Sequence, residues 1–184
     1  MGLRALRRIG LPDRYDRAVD TRLAITSKRD LRRYADRPVP EDVLVRCLDA
    51  GRLAGSARNR QPWRFVVVES RELKDRLAET VYEPGNLRGA AVAVAIVGKS
   101  GLDTGRCAQN VMLAAWNEGV GSCPNGMPDP AGTAELLGLG EGEEVAIVLS
   151  LGYPAFDSRP QRRSPDEWSA RANRKPLDEL VERR

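Results

Sequence analysis

Two clusters in this chain carry residue types that could do chemistry. The first is Gly55-Ser56-Ala57-Arg58-Asn59-Arg60-Gln61-Pro62-Trp63, which sets small residues, two amides, a proline and an indole between an expected helix and an expected strand. Small residues let backbone approach a flat ligand closely, and Asn and Gln can read its polar edge without bringing charge. Taken alone, the stretch also reads as a turn closed by a strand-capping Trp. The second cluster, Lys28-Arg29-Asp30-Leu31-Arg32-Arg33-Tyr34, lies upstream and is followed by Pro38-Val39-Pro40. Guanidinium groups are permanently charged and donate paired hydrogen bonds, so they suit a phosphate or a developing anionic edge. Without the first cluster, the second would read as a solvated basic turn.

The rest of the composition narrows the chemistry. The chain has no His, and its three cysteines (Cys47, Cys107, Cys123) form no Cys-x-x-Cys pair. Most zinc sites and any Ser/His/Asp or Cys/His arrangement are thereby excluded. The chemistry falls to a cofactor, to carboxylates, or to nothing at all. The net charge of +4 is unevenly spread: residues 1–37 hold 11 basic and 5 acidic side chains, and residues 158–184 hold 8 and 5. Basic ends suggest nucleic acid, but acidic residues interleave both, aromatics make up only 5% of the chain, and no nucleic-acid-binding motif is visible. Nucleic acid is therefore not expected as a partner. No apolar run is long enough for a membrane span, and residues 1–10 lack the apolar stretch of a signal peptide. A cytoplasmic location is expected by default.

The elements that must position these clusters follow from periodicity and caps. A helix is expected over Arg14–Lys28, with Ala18, Val19, Leu23 and Ala24 on its apolar face. A second helix starts at Pro40, favoured by Glu41 and Asp42 in its first turn, and continues to Gly51. Trp63–Val68 reads as a buried strand, Ser70 caps a helix over Arg71–Thr80, Pro84-Gly85-Asn86 breaks the chain, and Ala90–Val97 is an apolar strand. A helix follows over Thr104–Glu118, then a short strand or loop over Gly119–Gly126, a small helix over Asp129–Leu137 and a last strand over Glu144–Leu151. Residues 1–12 are expected to be flexible. Residues 155–184 are polar and rich in Arg and Pro, and are expected to be disordered or to lie across a partner subunit. The run Gly138-Leu139-Gly140-Glu141-Gly142 follows a helix instead of a strand, so it is a loop and no dinucleotide fingerprint. The fold class is α+β, one domain over residues 1–184.

The two clusters together resemble the nitroreductase family of FMN-dependent oxidoreductases. In that family an Arg-Arg-Ser-x-Arg-x-aromatic segment precedes a Pro-Val-Pro turn, a helix and then Ala-Pro-Ser-x-x-Asn-x-Gln-Pro-Trp. The resemblance implies a small, mostly antiparallel central sheet surrounded by helices, with a C-terminal segment crossing to the partner subunit. It implies a homodimer with its flavin sites at the interface and the Thr104–Glu118 helix in the dimer core. Lys28 and Arg29 would lie at the phosphate and ribityl end of FMN, with Asp30 beside them. Arg32 would reach the N1/O2 edge, where negative charge develops on reduction. Arg174 matches the family's C-terminal phosphate-binding Arg, and Lys175 is a weaker candidate. Gly55, Ser56, Ala57 and Asn59 would line the isoalloxazine from the opposite subunit, with Gln61 supporting the loop and Trp63 plugging the core. The segment Ser122–Gly126, with Cys123, Pro124, Asn125 and Gly126, resembles the one whose backbone N–H faces flavin N5. Cys123 is expected to be a packing residue.

The implied activity is hydride transfer from NAD(P)H by way of flavin N5 to a small acceptor such as a nitroaromatic or a quinone. Three residues depart from the family pattern: Asp30 replaces Ser, Lys28 replaces Arg, and Gly55 replaces Pro. The region between the second and third strands is also short. A carboxylate near a phosphate costs on the order of 1 kcal/mol or more unless a cation lies between them. Asp30 therefore motivates an alternative, a degenerate FMN site that binds a deazaflavin or another anionic ligand, or a non-catalytic binding protein.

Overall fold

The apolar run over residues 92–97 becomes the inner strand of a four-stranded sheet. In the computed structural model, which describes residues 20–184, β1 (Arg64–Val68), β2 (Val92–Val97), β3 (Gly121–Asn125) and β4 (Val145–Gly152) pair in the order β1-β2-β4-β3. Every pairing is antiparallel, with Phe65 opposite Ile96, Val94 opposite Leu149, and Cys123 opposite Ser150. All six residues of β2 are buried, because helices cover both faces of the sheet and leave no solvent-facing side to alternate toward.

Side-chain alternation divides the core in two. On one face Val92, Val94 and Ile96 pack with Val43, Leu44 and Cys47 of α2 (Glu41–Arg52) and with Cys107, Val111 and Ala115 of α5 (Leu102–Asn117). On the other face Ala93 and Ala95 meet Leu77 and Ala78 of α3 (Arg71–Ala78) and Leu87 of α4 (Pro84–Arg88). The small helix α6 (Pro130–Leu136), capped by Asp129, closes that side. Trp63 is partly buried and packs against the core on the α2 and α5 face.

The observed elements differ from the sequence expectation in three places. The first helix, α1 (Thr21–Ser27), starts where the Asp20 carboxylate accepts a hydrogen bond from the Leu23 N–H; residues 14–19 of the expected helix, and the expected flexible residues 1–12, lie outside the described residues. Pro84-Gly85-Asn86 opens α4, since Pro at the first helical position gives up only an N–H that has no helical partner. In the C-terminal segment, α7 (Pro165–Ala170) is started by a reciprocal Ser164–Glu167 capping box, and Trp168 is buried against the body of its own chain. That segment had looked too poor in apolar residues to pack; one indole and a cap suffice for a two-turn helix.

Candidate functional site

The basic segment 28–34 is laid across the β3–β4 corner. Leu31 N–H donates to Ser122 C=O at 3.0 Å, Ala35 N–H to Tyr153 C=O at 2.8 Å, and Ala155 N–H to Arg33 C=O at 3.2 Å. Two glycines facing each other across the strands make this approach possible: Gly121 pairs with Gly152. A Cβ at Gly121 would sit 2.8 Å from Leu31, and one at Gly152 would sit 2.9 Å from the Tyr34 ring. Any larger side chain at either position would push the basic segment off the sheet.

Beneath the segment runs a buried polar chain. Tyr34 Oη and Ser150 Oγ lie 2.9 Å apart, the Asn125 amide donates to Val148 C=O and Cys123 C=O at 3.1 and 3.0 Å, and Asn86 donates to Asn125 Oδ1 at 3.0 Å. Burial raises the Tyr34 phenol above its ordinary value, so it stays protonated and remains a donor. Asn125 is thus buried with its side chain turned into the core, and the chain reaches the surface at the exposed Gly126. Cys123 is buried beside Arg32; burial pushes its thiol up, as expected for a packing residue, and the guanidinium opposes the rise. Ser122 Oγ is the one buried side-chain oxygen or nitrogen without a hydrogen-bond partner among the described residues.

The cations are arranged around this corner. Lys28 Nζ pairs with the Asp30 carboxylate and lies 3.5 Å from Met112 Sδ. The carboxylate that stands in place of a hydroxyl is therefore already answered by the chain's own cation. Arg29 donates to Thr26 C=O and Lys28 C=O at 2.6 and 2.9 Å, capping the end of α1, and to Trp168 C=O at 3.0 Å. Its guanidinium is held below the usual arginine range by burial first, and then by Arg174 and Arg171, two like charges close by. The charge of Arg174 thus acts on Arg29 although the two are far apart in the chain. Arg32 is exposed at the same corner.

The other cluster is somewhere else. Residues 55–61 form a loop with one 3-10 turn, Ala57–Asn59, tied to the start of α5, where Ala57 N–H donates to the Asp103 carboxylate at 3.1 Å and the Arg106 guanidinium lies against Gly55. Arg58, Asn59 and Gln61 all take left-handed backbone conformations, with φ of 54°, 53° and 49°. Such residues cost about 1 kcal/mol or more each, and clusters of them gather at functional loops. Internal bonds hold the turn: Gln61 N–H to Ser56 Oγ at 2.8 Å and the Gln61 amide to Asn59 C=O at 3.2 Å, so Gln61 does support the loop. Gly55, Ala57, Asn59 and Gln61 are exposed and Ser56 is partly so. Asp103, which anchors the loop, and Met112, which touches Lys28, are nine residues apart on α5, or ~14 Å along the helix. One copy of the chain therefore holds the two clusters toward opposite ends of the same helix.

Three parts of the corner had no signal in residue spacing. Arg171 is one more Arg in a chain rich in them, Trp168 lies outside both motifs, and the Ser122 hydroxyl, in a segment that the resemblance marks for its backbone, is singled out only by its missing hydrogen bond.

Comparison with known proteins agrees with this architecture. The family model described as "Nitroreductase family" matches residues 25–99 and 98–153. A protein of Methanothermobacter thermautotrophicus named "Putative NADH dehydrogenase/NAD(P)H nitroreductase" is 31% identical over 171 residues, covering 82% of this chain and 88% of that one. A Thermus thermophilus protein named NADH dehydrogenase is 27% identical, covering 81% of this chain and 94% of its own length. A solved structure from Desulfovibrio desulfuricans, in complex with FMN, superposes with a TM-score of 0.73 at 26% identity and covers 88% of this chain and 94% of that one. With the family model matched over residues 25–99 and 98–153 and a relative 31% identical over 82% of this chain, the chain belongs to the nitroreductase family.

Proposed function

We propose that the chain is an FMN-dependent oxidoreductase that works as a homodimer, taking hydride from NAD(P)H and passing it to a small acceptor such as a nitroaromatic or a quinone. The observation that carries this reading is the Arg29 guanidinium, fixed by the Thr26, Lys28 and Trp168 carbonyls at a partly buried corner, with burial and then the charges of Arg174 and Arg171 holding it below the usual arginine range. Gathering cations this way is unfavourable unless an anion is to be held there. A terminal phosphate provides the charge and the acceptor oxygens that such a cluster lacks. The unpartnered hydroxyl of Ser122 and the exposed Arg32 border the same corner, so the residues fit a phosphorylated, polar-edged planar group. The relatives' names and the FMN-bound neighbour point the same way.

When bound, the flavin supplies the two-electron chemistry at N5. The chain's own residues bind and orient. Arg29, Arg171 and Arg174 hold the phosphate end, with Lys28 keeping the Asp30 carboxylate neutralised beside them. Arg32 stands where negative charge at the N1/O2 edge would be stabilised by a fixed, always-protonated donor. The β3 end at Cys123, Pro124, Asn125 and Gly126 would offer backbone to the N5 region of a bound flavin, and the buried Asn125 amide would keep that backbone from shifting. Gly55, Ser56, Ala57 and Asn59 would reach the ring system from a second copy, because their own copy holds them ~14 Å along α5 from the cationic corner. The exposed Leu177, Leu180 and Val181 near the C-terminus support a crossing of this segment onto that copy.

An absorbance spectrum of the concentrated protein, repeated after FMN loading and removal of the excess, tests the cofactor directly. Oxidised flavin bands near ~370 and ~450 nm at about one per subunit are expected, with NADH or NADPH bleaching them. A protein that stays colourless after loading would end this reading.

A further inference from the structure

We infer that Trp168 is a positioning residue that sets the Arg29 guanidinium for a phosphate and so gives the site its preference for a phosphorylated over an unphosphorylated flavin. The inference rests on the proposed function but concerns a part of the chain that neither motif contains.

An arginine has five N–H donors in a rigid fork, and the two Nη1 donors and one Nη2 donor of Arg29 are committed, to Thr26 C=O, Lys28 C=O and Trp168 C=O. Among the described residues Nε–H and the second Nη2–H take no partner, which leaves two donors for the oxygens of a phosphate. Which edge is left free depends on what fixes the plane of the group. Two carbonyls at the end of α1 hold one corner, and Trp168 holds another with its own carbonyl while its ring lies 5.2 Å from the Arg29 Cζ.

Trp168 is in turn held firmly. Its indole N–H donates to Pro160 C=O at 2.7 Å, Arg163 lies 4.9 Å from the ring, and the Arg22–Asp166 ion pair ties α7 to α1. The indole is one of the few large apolar groups of the C-terminal segment that is buried, and it is buried against a binding cation instead of the sheet. A cation on an aromatic face is stabilised most by Trp, and the plane of an Arg so held cannot swing freely. The same helix leads directly to Arg171, whose charge Arg29 senses. The short C-terminal helix thus orients one phosphate ligand and delivers another.

The test compares affinities for FMN and for riboflavin, which differ by the phosphate alone, by quenching of flavin fluorescence. The wild type, Trp168→Phe and Trp168→Leu are measured, each with its thermal midpoint. Wild type should prefer FMN; Trp168→Leu should lose about tenfold of that preference while its riboflavin affinity stays unchanged, and Trp168→Phe should retain most of it. Equal weakening of both flavins would show a merely structural Trp168 and overturn the inference, as would an unchanged ratio in Trp168→Leu. A wild type that binds FMN and riboflavin equally would remove the phosphate from Arg29 and overturn the inference while leaving a flavin reading intact. A wild type that binds neither would fail the proposed function itself and overturn the inference with it.

Discussion

Around Arg29 and β3 the chain answers nearly every polar group from within itself, whereas the 55–61 loop turns its small and amide residues outward. The corner rests on buried strands, two facing glycines and a chain of side-chain hydrogen bonds from Asn86 to Tyr34. The loop rests on one carboxylate of α5, a serine hydroxyl and three residues in left-handed conformations. A corner of the first kind can be prepared in a single copy before any ligand arrives. A loop of the second kind is held in shape by a few ties to the start of α5 while its small and amide residues face outward. The difference teaches that the two clusters are built differently, one as a socket and one as a projecting edge; in the homodimer proposed above, the edge would meet the socket of a second molecule.

The sharpest way to break that division is complementation. Arg32→Glu disables the socket and Ala57→Trp fills the space in front of the loop; both positions are exposed, so both variants should fold and dimerise. Neither alone should retain FMN. If they are unfolded and refolded together, half the dimers are mixed, and each mixed dimer has one socket and one loop that are both intact. Roughly one quarter of wild-type flavin should return. No return from dimeric mixtures would place the loop and the socket in the same copy or dissociate them altogether.

The division should also appear in stability. Asn125→Leu removes the buried hydrogen bonds that the Asn125 side chain donates to the Cys123 and Val148 carbonyls and accepts from the Asn86 amide. A loss of ~3 kcal/mol in urea unfolding is expected, with an unchanged slope against denaturant. Gln61→Ala on the exposed loop should cost under ~1 kcal/mol. Similar losses at the two sites would mean that the loop is packed as tightly as the socket.

How much of this was legible beforehand follows the same line. The strands and long helices announce themselves through periodicity and caps, because runs such as Val92–Val97 have no other way to satisfy their apolar side chains. Arg29, Arg32 and the Asn59–Gln61 element stood out because charge and amides at fixed spacing are unusual in a turn. The Lys28–Asp30 pair was not legible: adjacent charges of opposite sign can face each other or face solvent, and only the fold decides. Trp168 was hidden for a related reason. A single indole in a polar, Arg-rich segment has no period to read, and its value comes from a cation 139 residues away. The orphaned Ser122 hydroxyl is invisible in principle, since lacking a partner is a property of surroundings.

A smaller effect probes the cost of the loop's shape. At Arg58, with φ 54° and ψ 26°, a side chain pays a steric penalty that glycine avoids. Part of that gain is returned because glycine loosens the unfolded chain. Arg58→Gly should therefore stabilise the protein by only ~0.5 kcal/mol, read as a small rise in the urea midpoint. A destabilisation would show that the exposed Arg58 side chain makes contacts in solution that hold the turn, and the contrast between a packed socket and a self-shaped edge would weaken.

The subtlest difference is electrostatic and concerns the exit of the loop. Arg64, the first residue of β1, makes a paired bond to Glu143 at 2.8 and 2.7 Å, and Glu143 also accepts from Gly140 N–H at 2.8 Å. These donors pull the carboxyl from its ordinary 4.5 down to about 2, with the Arg64 hydrogen bond the largest cause. A carboxylate whose folded pKa is depressed contributes stability that is fully present above the unfolded value and is lost as pH falls through the folded one. The window therefore runs from about pH 4.5 down to about pH 2. The pair is exposed, so its contribution is small and should shrink further as salt is raised. Arg64→Ala should flatten the acid limb of the stability curve in that window while leaving the neutral plateau almost unchanged. Amide exchange at Gln61 and Trp63 should quicken more in this variant than exchange in β3, because the loop depends on such surface ties and the socket does not. Equal quickening in both would show that the two regions open together, and the division drawn between them would then describe their contacts but not their motions.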